Sequence, residues 1–206
     1  GDFYDFHVIN ENRVGILIAD VSGHGTPAAI ISSMLKVVFA LSAHVSGNPA
    51  LLLERMNAIL CEFTHGNFIT AQYAVIDREK MTVTCANAGH WPMLIHREGE
   101  GLLFDRGKPG RVIGYFQDLR VENRMMPIQA GDRIVFYTDG FLEQRNRDGR
   151  MFGEDRFNET VNSFRGKPVA SFISGLMDHL TSWSGLASGE AFEDDVTIVV
   201  ADVLAF

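Results

Sequence analysis

Apolar positions along this chain recur with two different periods, and the switches between them predict the order of elements. Residues 3–9 and 13–20 read as two strands around a turn at Glu11-Asn12. The second of them, Arg13-Val-Gly-Ile-Leu-Ile-Ala-Asp20, is a buried apolar run that ends abruptly in a carboxylate. After the glycine-rich turn Val21-Ser-Gly-His-Gly25, Thr26-Pro27 reads as N-cap and first helical position. The helix that follows carries Ile30, Met34, Val37, Val38 and Leu41 at helical spacing, which predicts its buried stripe. Asn48-Pro49 repeats the start signal and opens a second helix, with a stripe of Leu52, Leu53, Met56, Ile59, Leu60 and Phe63, ending near Gly66.

The middle of the chain is strand-like. Residues 68–76 and 81–86 are rich in β-branched and aromatic side chains, with Asp77-Arg-Glu-Lys80 as the hairpin turn. Residues 92–96 and 102–105 predict two more strands around 98–101, residues 106–119 a Gly/Pro loop, and residues 120–127 a further strand. Gly131-Asp132 turns the chain into Arg133-Ile-Val-Phe-Tyr-Thr-Asp-Gly140, a second apolar run ending in a carboxylate. Residues 154–164 and 169–183 read as helices, and Asp194-Asp-Val-Thr-Ile-Val-Val-Ala201 as a strand with carboxylates at its entrance. With no repeat, low-complexity segment or linker, residues 1–206 read as a single domain. The opening Gly1-Asp-Phe-Tyr-Asp5, without Met or lead-in, predicts that this domain is cut from a longer protein with an N-terminal regulatory region.

Composition narrows the function classes. The chain has 206 residues, 46% of them apolar and 21% charged, enough for a substantial core without disulfides or structural metals. Cys61 and Cys85 are isolated, which argues against zinc ribbons and disulfide scaffolds and fits a reducing cytoplasm. Apolar runs are too short for membrane insertion. The net charge of −8 disfavours a nucleic-acid partner, because backbone phosphates need clustered Lys and Arg.

The chemistry sits in the acidic strand ends. Asp20 and Asp139 finish apolar runs, whereas Asp2 and Asp194 begin them. In an antiparallel sheet the end of one strand lies beside the start of its neighbour, so these carboxylates can meet at one rim. Such a cluster repels itself unless a cation neutralises it, and oxygen donors without Cys or clustered His select hard ions such as Mg²⁺ or Mn²⁺. Each Asp alone reads more simply as a turn residue beside Gly, but four at the tips of four apolar strands are harder to dismiss.

Gly1-Asp2-Phe-Tyr-Asp5, Ala19-Asp20-Val-Ser-Gly-His-Gly25, Asn87-Ala-Gly-His90, Tyr137-Thr-Asp-Gly140, Phe152-Gly-Glu and Asp194-Asp-Val-Thr-Ile-Val199, in this order, resemble the SpoIIE/RsbU-type serine phosphatases. These are the bacterial branch of the PPM metal-dependent phosphatases, with the protein phosphatase 2C fold. Trp91 and Leu142 depart from the family pattern, where Pro and Thr are commoner. The resemblance implies an α+β fold, a four-layer α-β-β-α sandwich of two mainly antiparallel sheets flanked by helix pairs. It implies two divalent cations, Mn²⁺ or Mg²⁺, with Asp20 bridging both, the Val21 carbonyl on one, Asp139 and Asp194 on the other, and Asp2 ligating directly or through water. Asp5 and Asp195 would stand behind them.

By the same resemblance, the reaction is hydrolysis of phosphoserine or phosphothreonine by direct attack of a metal-bound hydroxide. The partner it implies is a phosphorylated regulator, a STAS-type anti-anti-sigma protein; a homodimer is left open, and the first helix pair serves regulation in the family. Gly23, His24 and Gly25 are the candidates for gripping phosphate, since a glycine-rich turn at a helix start can bind an anion. His24 reads either as the acid for the leaving group or as a turn histidine, and His90 as structural. Two other classes compete: an inactive relative that only binds a switch partner, and a metal-dependent nuclease or small-molecule phosphoesterase.

Overall fold

The computed structural model describes residues 1–104, 110–187 and 190–205. The chain gathers into two compact units, one from residues 1–92 and 110–129, the other from residues 93–104, 130–187 and 190–205. The first contains β1 (Asp2–Asn10), β2 (Arg13–Val21), α1 (Thr26–Leu41), α2 (Pro49–Leu60), β3 (Ile69–Asp77), β4 (Thr82–Ala88) and, after the excursion into the second unit, β7 (Arg124–Pro127). The second contains β5 (Leu94–Arg97), β6 (Gly101–Phe104), β8 (Arg133–Tyr137), α3 (Asp139–Glu143), α4 (Gly153–Phe164), α5 (Val169–Ser184) and β9 (Ile198–Asp202). Residues 105–109, the end of one expected strand and the start of the expected loop, lie outside the described residues.

The first unit is an antiparallel sheet in the order β1-β2-β3-β4-β7. β2 and β3 are central, and their near-continuous burial explains why β2 reads as an unbroken apolar run. Leu17, Ala19, Tyr73 and Val75 on one sheet face meet Leu35, Val38 and Phe39 of α1 and Leu52, Leu53, Met56 and Leu60 of α2 in one core. Gly15 is required here: a Cβ on it would sit 1.7 Å from the hydroxyl of Tyr73, whose ring crosses β2 and whose hydroxyl donates to Ser46 O at 3.0 Å. Asn48 caps α2 by accepting from Leu51 N, as its sequence signals, and Asp77 Oδ1 accepts from Glu79 N and Lys80 N to close the β3–β4 turn.

The phase of α1 differs from expectation. Ala28, Ile31, Leu35, Val38 and Phe39 are buried, while Ile30, Val37 and Leu41 are 56%, 57% and 63% exposed. The helix is apolar on nearly every side, so periodicity alone admits several phases. Tertiary contacts choose one: Phe39 lies edge-on to His7 and Tyr73, with ring centroids 4.0 and 5.8 Å apart, and Lys36 pairs with Asp5. The N-cap of α1 is Gly25, in a left-handed conformation without a side-chain cap, so Thr26 is already helical. α2 ends at Leu60, short of Gly66, and Phe63 beyond it is exposed.

The second unit is an antiparallel sheet in the order β6-β5-β8-β9. Leu94, Val135 and Tyr137 pack with Phe141, Phe152, Phe157, Val161, Phe172, Leu176 and Leu180 of its helices and loops. Two bidentate pairs fasten its strands: Arg133 to Asp202 at 2.6 and 2.8 Å, and Arg97 to Asp132 at 3.0 and 2.8 Å. Each unit therefore carries one antiparallel sheet with its own helices, the expected α+β class. No helix among the described residues is long and apolar enough to cross a membrane.

Candidate functional site

In the first unit, the β1–β2 register sets Asp2 directly opposite Asp20. Gly1 and Val21 exchange both ladder bonds, Val21 N to Gly1 O at 3.1 Å and Gly1 N to Val21 O at 2.6 Å. Asp2 and Asp20 therefore form the adjacent non-hydrogen-bonded pair, the closer kind, in which like charges oppose each other unfavourably. The Gly1 nitrogen also lies 3.1 Å from Asp20 Oδ1. Asp20 Oδ1 and the Val21 carbonyl thus both lie within hydrogen-bond distance of the Gly1 nitrogen.

Carboxylate and carbonyl oxygens are the donors that Mg²⁺ and Mn²⁺ take, so these residues fit a hard divalent ion. Asp5 is not brought to them. It lies on the other face of β1, where Lys36 of α1 pairs with it and the Phe6 amide donates to it. The following turn is fixed by Ser22, whose amide donates to Phe68 O and whose hydroxyl accepts from Phe68 N, both at 2.9 Å. Gly23 and Gly25 have φ of +88° and +76°, which explains glycine at both places, and His24 between them is exposed.

In the second unit, the strand ends differ from expectation. β8 stops at Tyr137, and Asp139 is the first residue of α3 rather than a strand tip. β9 starts at Ile198, so Asp194 and Asp195 lie on an exposed bend ahead of the strand. Thr138 joins the two segments: its amide donates to Thr197 O at 3.1 Å and its Oγ1 accepts from Thr197 N at 3.0 Å. Gly140 is pressed onto the same segment, since a Cβ there would stand 2.0 Å from Asp195 O. Asp139 and Asp194 are thereby held on neighbouring segments. Asp194 also lines a cavity of about 220 Å³ with Gly140, Glu143, Gln144, Arg145, Met151 and Glu193.

The structure thus sets Asp2 opposite Asp20 and places Asp139 and Asp194 on neighbouring segments. Among the described residues no group of three or more His, Cys, Asp or Glu is gathered tightly enough to hold a metal by itself. Two supporting residues escaped the sequence reading. Gln144 is buried, accepts from Glu193 N and donates to Arg145 O, fixing the approach to Asp194. Thr70 faces Asp20 across β2–β3 and bonds His90. A glutamine or threonine in an ordinary run carries no signal of such a role.

A fold of this class, with acidic residues at sheet ends, agrees with a family assignment. The model of the family described as stage II sporulation protein E (SpoIIE) matches residues 10–204, and the chain belongs to that family. It is 27% identical over 201 residues to the phosphoserine phosphatase RsbU of Bacillus subtilis (strain 168), covering 97% of this chain and 58% of that protein. The chain therefore spans little more than half of that relative. Among solved structures, the SiaA-PP2C domain of Pseudomonas aeruginosa superposes with a TM-score of 0.85 at 22% identity, over 98% of this chain and 80% of that one. RsbX in complex with magnesium superposes with a TM-score of 0.70 at 16% identity, over 97% and 85%. These two likenesses establish the fold.

Proposed function

We propose that this chain hydrolyses phosphoserine or phosphothreonine on a regulatory protein, a STAS-type anti-anti-sigma factor, in the cytoplasm. The observation that carries the reading is the facing pair of Asp2 and Asp20, with the Val21 carbonyl on the next residue of β2. Membership of the SpoIIE family supports it, as does the phosphoserine phosphatase activity in the name of RsbU. The magnesium in RsbX supports a hard-cation site.

In this reading Asp2, Asp20 and Val21 O are the cation ligands of the first unit, and Asp139 and Asp194 are those of the second. When bound, two Mn²⁺ or Mg²⁺ ions supply charge neutralisation and water activation, which unaided phosphate-monoester hydrolysis lacks. The protein's own part is positional. Facing β1 and β2 set the Asp2 and Asp20 carboxylates opposite each other at a rim, and Thr138 and Gly140 tie Asp139 to the Asp194 segment. The turn Gly23-His24-Gly25 offers exposed backbone amides at the start of α1 for phosphate oxygens. Asp195 stands beside Asp194, its amide donating to Asp194 Oδ1 at 2.8 Å.

The test is hydrolysis of p-nitrophenyl phosphate with Mn²⁺, with EDTA, and with the Asp20→Ala variant. Turnover that needs Mn²⁺ and is lost in Asp20→Ala is expected. Equal inertness of wild type and variant, on this ester and on a serine-phosphorylated STAS protein, would favour the non-catalytic binding module instead.

A further inference from the structure

Asp20 has a neighbour on each side. Across β1 stands Asp2; across β3, in register and on the same sheet face, stands Thr70. Asp20 and Thr70 form a directly opposed pair, whose Cβ atoms in such ladders lie about 4.5–5.5 Å apart. At that separation an aspartate oxygen and a threonine hydroxyl on one sheet face are within reach of each other. In this structure the Asp20 carboxylate is instead turned towards the Gly1 nitrogen through Oδ1.

The Thr70 hydroxyl is itself fixed. It bonds His90 Nδ1 at 2.8 Å, and His90 is only 8% exposed. His90 is in turn locked by its backbone: its amide donates to Asn87 Oδ1 and its carbonyl accepts from Asn87 Nδ2, both at 2.8 Å. Gly89 beside it has a φ of +76° and bridges to Ala71, next to Thr70, and a Cβ there would lie 2.8 Å from Val112. Asn87 and Gly89 of one turn thus hold the His90 imidazole against a hydroxyl that faces a candidate ligand. Packing alone would be met by an apolar side chain.

We propose that Thr70 is a positioning residue for the Asp20 carboxylate, and that His90 acts through it. With Nδ1–H donating to Thr70 Oγ1, the Thr70 proton is left to donate to Asp20. A carboxylate that gives one oxygen to a cation then has its other oxygen held from β3, against the repulsion of Asp2. Partners behind a ligand of this kind tune affinity as well as geometry. The inference rests on the metal-site reading above.

The test is calorimetric titration of Mn²⁺ into the metal-free protein, without turnover. Thr70→Val keeps the shape and removes the hydroxyl; Thr70→Ser keeps the hydroxyl. His90→Phe removes the ring nitrogen, and His90→Asn places a polar atom near its position. Thr70→Val and His90→Phe are expected to weaken Mn²⁺ binding by about 10–100-fold. Thr70→Ser and His90→Asn should stay within about threefold of wild type, and the double variant Thr70→Val/His90→Phe should bind no worse than the weaker single one. In EDTA the melting temperature of Thr70→Ser should match wild type, while that of Thr70→Val should fall because the buried His90 Nδ1 loses its Thr70 partner. Wild-type affinity in Thr70→Val, or an equal loss in Thr70→Ser, overturns the proposal even if His90→Phe fails to fold. A wild type that binds no Mn²⁺ overturns the metal-site reading itself, and this inference with it.

Discussion

Gly140→Ala isolates how tightly the Asp139 and Asp194 segments must be joined. The added Cβ would stand 2.0 Å from the Asp195 carbonyl oxygen and 3.0 Å from its carbon, both backbone atoms that cannot swing aside like a side-chain tip. Contacts under 3.0 Å are essentially unknown for Cβ atoms, so α3 and the 194–195 bend must separate by about 1 Å. Overpacking of that kind costs roughly 1–3 kcal/mol. For a chain of this size it lowers the melting temperature by about 2–12 °C. A shift of about 1 Å in a catalytic constellation costs on the order of 100-fold in turnover. Calorimetric melting in EDTA and p-nitrophenyl phosphate hydrolysis with Mn²⁺ read the two effects separately. Gly166→Ala is the control, since nothing lies within 4 Å of its added Cβ, and it should melt at or slightly above wild type. If Gly140→Ala melts and turns over like wild type, the two segments are not held by this contact, and the pairing of Asp139 with Asp194 loses its structural basis.

Three further outcomes follow from the same geometry. Asp20→Asn should abolish Mn²⁺-dependent turnover yet leave the metal-free melting temperature unchanged or higher, because it relieves a like-charge facing pair worth about 0.2–1 kcal/mol; a large loss of metal-free stability would contradict this. Gly15→Ala should destabilise the first unit by roughly 1–3 kcal/mol in urea titration, because its Cβ would enter the Tyr73 ring. Burial holds the pKa of His7 and of His96 below the ordinary histidine value of 6.5; for His7 it outweighs the opposing pull of Asp5, and for His96 Arg165 and Arg133 add to it against Asp132 and Glu98. Between those depressed values and 6.5 the unfolded chain binds more protons, so stability is complete above pH 6.5 and falls as the pH drops below it. His7→Gln should flatten that fall in melts between pH 7.5 and 5.5, and an unchanged slope would refute the assignment.

The elements that were legible in the sequence are those whose signals are local. Asn48-Pro49 starts a helix because a side-chain oxygen and a fixed φ act within one turn, and Asp77 closes its hairpin through two amides that follow it directly. What needed the rest of the molecule was not legible. The phase of α1 depends on Phe39 meeting His7 and Tyr73 from two strands. The apolar run of β8 ends at Tyr137 rather than Gly140 because Thr138 is taken up by Thr197, some sixty residues away in sequence. Thr70 and His90 meet only because β3 and the 87–90 turn are neighbours.

The facing of Asp2 and Asp20 shows where that boundary lies. Apolar runs ending in Asp predict that the two carboxylates reach the same rim, but not that they share a face. Pairing that began at Asn10 opposite Arg13 and ran without interruption would set Asp20 opposite Phe3 and Asp2 opposite Val21, on opposite sides of the sheet. An irregularity between Val8 and Asn10 takes up one residue, so that Val8 faces Val14 and every later pair shifts by one. That single step turns Asp2 and Asp20 onto one face and into the close pair, while sending Asp5 to the other, towards Lys36. No residue type at Ile9 announces it. The chemistry of the rim is written in the acidic residues, and its geometry in a one-residue slip at the far end of the same hairpin.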